Sequence, residues 1–119
     1  IMSRFALIRG WFECPFDECE KIKTTVRNFT EQAEKYGLTR SNVELYITGW
    51  HFPKSPLNWV SLVFFGANIN EIALPFIRDM FILVSALSGD ISGEFYIEDE
   101  EGSSMVWKFH NGNLNEDKI

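Results

Sequence analysis

Between Glu94 and His110 the chain alternates polar and apolar residues twice, on either side of an acidic turn. Phe95 and Ile97 alternate with Glu94, Tyr96 and Glu98. Met105, Trp107 and Phe109 then alternate with Val106, Lys108 and His110. A period of two residues on both arms predicts an antiparallel hairpin with one apolar face. Asp99-Glu100-Glu101-Gly102-Ser103 makes the turn, with Gly102 free to take a positive φ. An apolar sheet face has to be covered, so the rest of the chain must supply a second layer.

Two segments carry the helical period that such a layer needs. Cys19, Ile22, Val26, Phe29, Ala33 and Tyr36 recur at spacings of three and four, which predicts one amphipathic helix stopped by Gly37, with Pro15 in its first turn. Phe76, Ile77, Met80, Phe81, Val84 and Leu87 predict a second, more deeply buried helix. Pro75 cannot sit in a helix interior, so this helix is expected to begin around Leu74 and to end at Ser88-Gly89.

The remaining apolar runs read as strands. Phe5 to Phe12 carries large groups on both faces (Phe5, Leu7 and Trp11 against Ala6, Ile8 and Phe12), which suggests an inner strand. Val43, Leu45 and Ile47 alternate with Glu44, Tyr46 and Thr48, predicting a strand with one buried face. The connection from Gly49 to Pro56 contains two prolines. Trp59 to Phe65 is nearly continuous apolar and predicts a central strand covered on both faces, with a loop from Gly66 to Asn70. Asn111-Gly112 is a second tight-turn signal, with a short last strand at Leu114. Residues 1–3 and 115–119 are expected to fray. The expected fold is α+β: an antiparallel or mixed sheet of five to six strands packed with two helices, in the order β-α-β-β-α-β-β, as one domain over residues 1–119.

Charge narrows the partners. The net charge is −6. Residues 1–89 hold nine acidic and nine basic side chains, whereas residues 90–119 hold eight acidic and two basic, so the whole excess lies in the last quarter. Glu98-Asp99-Glu100-Glu101 is its centre. Such a field repels nucleic acid and anionic membrane and attracts a basic partner. No apolar run is long enough to span a bilayer, and the start lacks the order of a secretory leader, so a cytoplasmic protein is expected. Ile1 ahead of Met2 reads as an added residue.

Motifs for chemistry are sparse. Cys14 and Cys19 lack the spacing of a metal or redox pair, and buried free thiols are expected. His51 and His110 have no second ligand at metal-binding spacing. Glycines form no phosphate-cradling pattern, the four consecutive carboxylates do not resemble a calcium loop, and no serine elbow is evident. These readings predict no catalytic residues, no cofactor and no metal. They leave two alternatives to a binding protein of another kind: a small enzyme with an unrecognised Cys/His/carboxylate site, such as Cys14 with His51, or an adaptor acting through a sheet edge.

Several motifs follow one another along the chain. They are Arg9-Gly10-Trp11-Phe12-Glu13-Cys14 ahead of a helix, Gly49-Trp50-His51-Phe52-Pro53, Asn58-Trp59 leading to Phe64-Phe65-Gly66, Gly93 to Glu101, and Trp107-Lys108 before Asn111-Gly112. In that order the chain resembles a family of small immunity proteins from bacterial polymorphic-toxin and contact-dependent growth inhibition systems. The likeness covers about Phe5 to Leu114. It implies a non-enzymatic, cytoplasmic antidote that binds the C-terminal domain of a cognate toxin, expected to be a basic nuclease, and covers its active site or blocks its substrate. It implies no direct nucleic-acid or membrane binding, and a monomer by default with a homodimer as the alternative. The toxin-contacting set expected from the acidic, aromatic segments is Glu94, Tyr96, Glu98, Asp99, Glu100, Glu101, Trp50 and His51. Trp11, Trp59 and Trp107 are expected in the core, and Trp50 as the exposed aromatic anchor.

Overall fold

The computed structural model describes residues 4–56 and 58–119, so the expected fraying of residues 1–3 lies outside the described residues. Strand β1 (Phe5–Cys14) leads through a short 3-10 turn into helix α1 (Cys19–Phe29), and a 3-10 segment (Thr30–Tyr36) continues it. Helix α2 (Arg40–Ile47), the two-residue strand β2 (Trp50–His51) and strand β3 (Ser61–Asn70) follow. Helix α3 (Leu74–Ser85) then precedes strands β4 (Ser92–Asp99), β5 (Ser104–His110) and β6 (Asn113–Lys118). The six strands form one sheet in the order β2-β3-β1-β4-β5-β6, and every pairing is antiparallel. The protein is therefore an α+β fold with three helices rather than two.

The alternating signals of the C-terminal half are realised as read. Phe95, Ile97, Trp107 and Phe109 are buried on one face of the β4–β5 hairpin. Gly102 takes φ 86°, and Asn111 and Gly112 take φ 51° and 76° in the turn from β5 to β6. This turn keeps the chain in register through Lys118, opposite Met105, so residues 115–118 form a paired strand and not a frayed tail.

β1 is central, as expected, but only one of its faces is covered. Ala6, Ile8, Phe12 and Cys14 are buried, with Val63, Phe65 and Ile69 of β3 beside them. Phe12 lies at the middle of an aromatic cluster with Phe81, Phe95 and Phe109, at centroid distances of 5.5, 5.1 and 6.1 Å. Gly93 makes room for it, since a Cβ there would meet the Phe12 ring at 2.5–2.6 Å. α3 begins at Leu74 with proline in its first turn, and Phe76, Ile77, Met80, Phe81 and Val84 are all fully buried. It stops at Ser85, three residues before the expected Ser88-Gly89. There the Ser85 hydroxyl accepts the Gly112 N–H at 3.0 Å, tying the helix end to the last turn.

Four further expectations need correction. The segment 43–47 is helical, not a strand. Thr39 caps α2 by accepting the Asn42 N–H at 3.2 Å, and Val43 and Tyr46, three apart, are buried while Leu45 is 66% exposed. The run from Trp59 is covered on one face only: Trp59 and Val60 precede the strand, and Leu62 and Phe64 point away from the core. β3 also continues through the expected loop at Gly66 to Asn70. Lastly, the first helix tightens to 3-10 geometry after Phe29, which brings Phe29 and Tyr36 together against Phe76, at 5.1 and 5.4 Å. Gly37, at φ 73°, is the stop that was expected.

Candidate interaction surface

Every helix-covered position on the sheet has an uncovered neighbour, because side chains alternate across the strand. The uncovered face is built from Phe5, Leu7, Arg9, Trp11 and Glu13 on β1, Leu62 and Phe64 on β3, and Glu94, Tyr96 and Glu98 on β4. Val106 and Lys108 of β5 extend it. Register aligns these residues in rows. His51, Phe64, Trp11, Glu94 and Lys108 run straight across five strands. The Trp11 and Tyr96 rings lie 6.4 Å apart on this face. Phe5, Leu7, Leu62 and Phe64 are each more than a third exposed, and Trp59, 83% exposed, stands beyond the end of β3. An apolar, aromatic strip thus lies open along β3 and β1, and carboxylates flank it on β4.

The acidic hairpin at one end differs from the bare tip expected from sequence. Arg9 binds Glu98 at 2.7 Å and Arg4 binds Glu101 at 2.8 Å. Glu100 accepts the Phe5 N–H at 3.1 Å, and Asp99 Oδ1 accepts the N–H groups of Glu101 and Ser103 at 2.9 Å. Two arginines against four carboxylates leave 4 − 2 = 2 net negative charges here. The N-terminal strand supplies those cations, which is why counting charge along the chain overstated the tip. On β4 the Tyr96 hydroxyl donates to Glu94 Oε2 at 2.7 Å, and this bond raises the Tyr96 phenol above its ordinary range. Lys108 stands 3.9 Å from the other Glu94 oxygen.

Of the expected contact residues, Glu94, Tyr96, Glu98 and His51 share the open face, and Asp99, Glu100 and Glu101 lie at its hairpin end. Trp50 does not belong with them. It is 7% exposed and opposite Phe65, so it points to the core, where it stacks on Phe12 and Phe52 at 6.1 and 5.9 Å. The exposed aromatic is Trp59, which had been placed in the core. Trp11 is half-buried on the open face, and Trp107 alone of the expected core trio is fully packed. The Trp59 signal was readable: it follows Pro56 and Asn58, within the connection that precedes the strand.

Elsewhere the chemistry stays dispersed. Cys14 faces the core and His51 faces away from it, so the sheet itself separates that pair. Among the described residues no three His, Cys, Asp or Glu side chains converge as metal ligands. A cleft of about 720 Å³ lies between α1, α2 and Trp50. Its rim holds Lys23, Arg27 and Arg40 with Glu31 and Glu44, and Arg40 is paired to both carboxylates, at 3.2 and 3.6 Å. No described helix is long and apolar enough to cross a membrane. Comparison of the chain with known family models, curated proteins and solved structures gives no significant match.

Proposed function

We propose that this protein is a non-catalytic antidote, an immunity protein that binds a cognate toxin domain through the open face of its sheet. The observation that carries the reading is that face itself: an uncovered apolar and aromatic strip on β3 and β1, bordered by carboxylates on β4. Soluble proteins rarely leave contiguous apolar surface unused, and interfaces concentrate aromatics at their centre with polar groups around them. The motif order that resembles immunity proteins supplies the biological role. The proposed partner is a basic nuclease domain. Its phosphate-holding cleft would meet Glu13, Glu94 and the hairpin carboxylates while Trp59, Phe64 and Trp11 fill apolar contacts. Covering the cleft or its approach suffices for inhibition, and a standard interface of roughly 1,200–2,000 Å² would do so. The protein is proposed to act in the cytoplasm as a monomer, with no direct binding of nucleic acid.

The test is capture of the partner by the purified protein from its native bacterium, followed by salt titration of the complex. Binding that is tight at low salt and weaker at high salt, and lost in a Trp59→Ala/Phe64→Ser variant that still folds, is the expected result. A partner that binds this variant as well as the wild type moves the interface off the open face. Capture of no toxin-like partner overturns the antidote reading, and a stable pairing of two copies through this face replaces it with an adaptor.

A further inference from the structure

Cys14 closes β1 and Cys19 opens α1, and the intervening turn folds back so that the two sulfurs lie 3.9 Å apart. Both thiols are free and buried within the same corner of the core. Each nevertheless borders a surface recess. Cys14 lines one with Glu13, Pro15 and Trp59, and Cys19 lines another with Phe16, Lys23 and Lys54. The two residues are 2% and 5% exposed, with a recess open to solvent beside each. We propose that Cys14 and Cys19 form a dithiol modification site, which a small hydroperoxide converts into an intramolecular disulfide.

The two thiols take different parts. Burial raises Cys19; the contact with Cys14, in which either sulfur can be the donor, and the Lys23 charge work against that rise, while the Glu20 and Asp17 charges add to it. Burial pushes Cys14 up to about 12, so it keeps its proton longer. Cys19 sulfur attacks one peroxide oxygen, the O–O bond breaks, and the departing oxygen leaves as water or alcohol after taking up the thiol proton. The product is a sulfenic acid on Cys19. Cys14 sulfur then attacks that sulfur, the S–OH bond breaks, and hydroxide leaves as water with the Cys14 proton. Two thiols are oxidised, one hydroperoxide is reduced, and one S–S bond of about 2.05 Å replaces the contact. Burial also raises Cys19, so the first step is slow near neutrality and quickens as pH rises. The inference stands apart from the proposed function.

The test uses the full-length reduced protein, hydrogen peroxide at about pH 7 and about pH 9, alkylation of remaining thiols and tryptic digestion. Cleavage after Arg9 and Lys21 yields one peptide, residues 10–21, that contains both cysteines and no methionine. The expected product is this peptide lighter by two hydrogen atoms and unalkylated, formed faster at the higher pH. In Cys14→Ser a sulfenic acid on Cys19 is trapped by dimedone, and in Cys19→Ser the Cys14 thiol persists and is alkylated. Independent oxygen addition on the two cysteines of the wild-type peptide, or disulfides joining two chains, overturns the proposal. So does full alkylation after methionine oxidation is complete.

Discussion

At the residue scale the two tryptophans Trp50 and Trp59 exchange the roles that local sequence suggests for them. Both lie near prolines, and the difference is set by pairing. Trp50 sits opposite Phe65 in β2, a strand of two residues that no hydrophobic period could reveal. Its ring fills space between Phe12, Phe65 and Phe81. Trp50→Ala should therefore cost about 3–5 kcal/mol of folding stability in urea titration, the range for removing a buried aromatic. Trp59→Ala should move stability by no more than about 0.5 kcal/mol. It should show its effect on partner binding instead. A large loss of stability in Trp59→Ala would mean that its ring packs against the fold.

At the element scale, what could be read was periodicity sustained over many residues. The β4–β5 hairpin, the α1 stripe as far as Phe29, the Pro75 start of α3 and the two turns at Gly102 and Gly112 carry their own signals, and each is found where the pattern placed it. Short elements carry less. Over five residues Val43, Leu45 and Ile47 satisfy a period of two, while Val43 and Tyr46 satisfy the helical spacing equally well. Tertiary packing and the Thr39 cap decide between them. Tyr46 then serves the sheet, accepting the Asn70 N–H at the end of β3 at 3.2 Å through its hydroxyl. Thr39→Ala removes the side-chain acceptor at the start of α2 and should cost about 1 kcal/mol. The fall should appear as a lower urea midpoint with unchanged slope. Full wild-type stability in this variant would show that packing of Val43 and Tyr46 holds α2 without its cap. The candidate surface was only half legible for a related reason. Alternation told which residues of β4 face outward, but nothing local told that no helix would cover them, or that Arg4 and Arg9 would reach the acidic hairpin from the opposite end of the chain.

At the scale of the whole molecule, one layer of helices on one sheet face makes a core that holds two thiols and has the half-buried phenol of Tyr36 at its edge, and alkaline pH probes these groups. The Tyr36 hydroxyl donates to Asp79 Oδ2 at 2.6 Å, joining the 3-10 segment to α3. Burial, then this hydrogen bond and the nearby Asp79 charge, push Tyr36 from 10.0 to about 12. Burial and the neighbouring Cys19 push Cys14 from 9.0 to about 12. In both cases the folded chain holds the proton more tightly than the unfolded chain does, so raising the pH favours unfolding. The stabilisation from Cys14 is complete below about pH 9 and that from Tyr36 below about pH 10, and both are lost as pH rises toward 12. Urea midpoints measured across this window should fall steadily. Tyr36→Phe keeps the ring on Phe29 and Phe76 but has no proton to lose, so its decline above pH 10 should be shallower than that of the wild type. Cys14→Ser should flatten the earlier part, from pH 9. Parallel declines in wild type and both variants would place the alkaline sensitivity elsewhere, in the repulsion among a chain's many carboxylates as its lysines lose their charge.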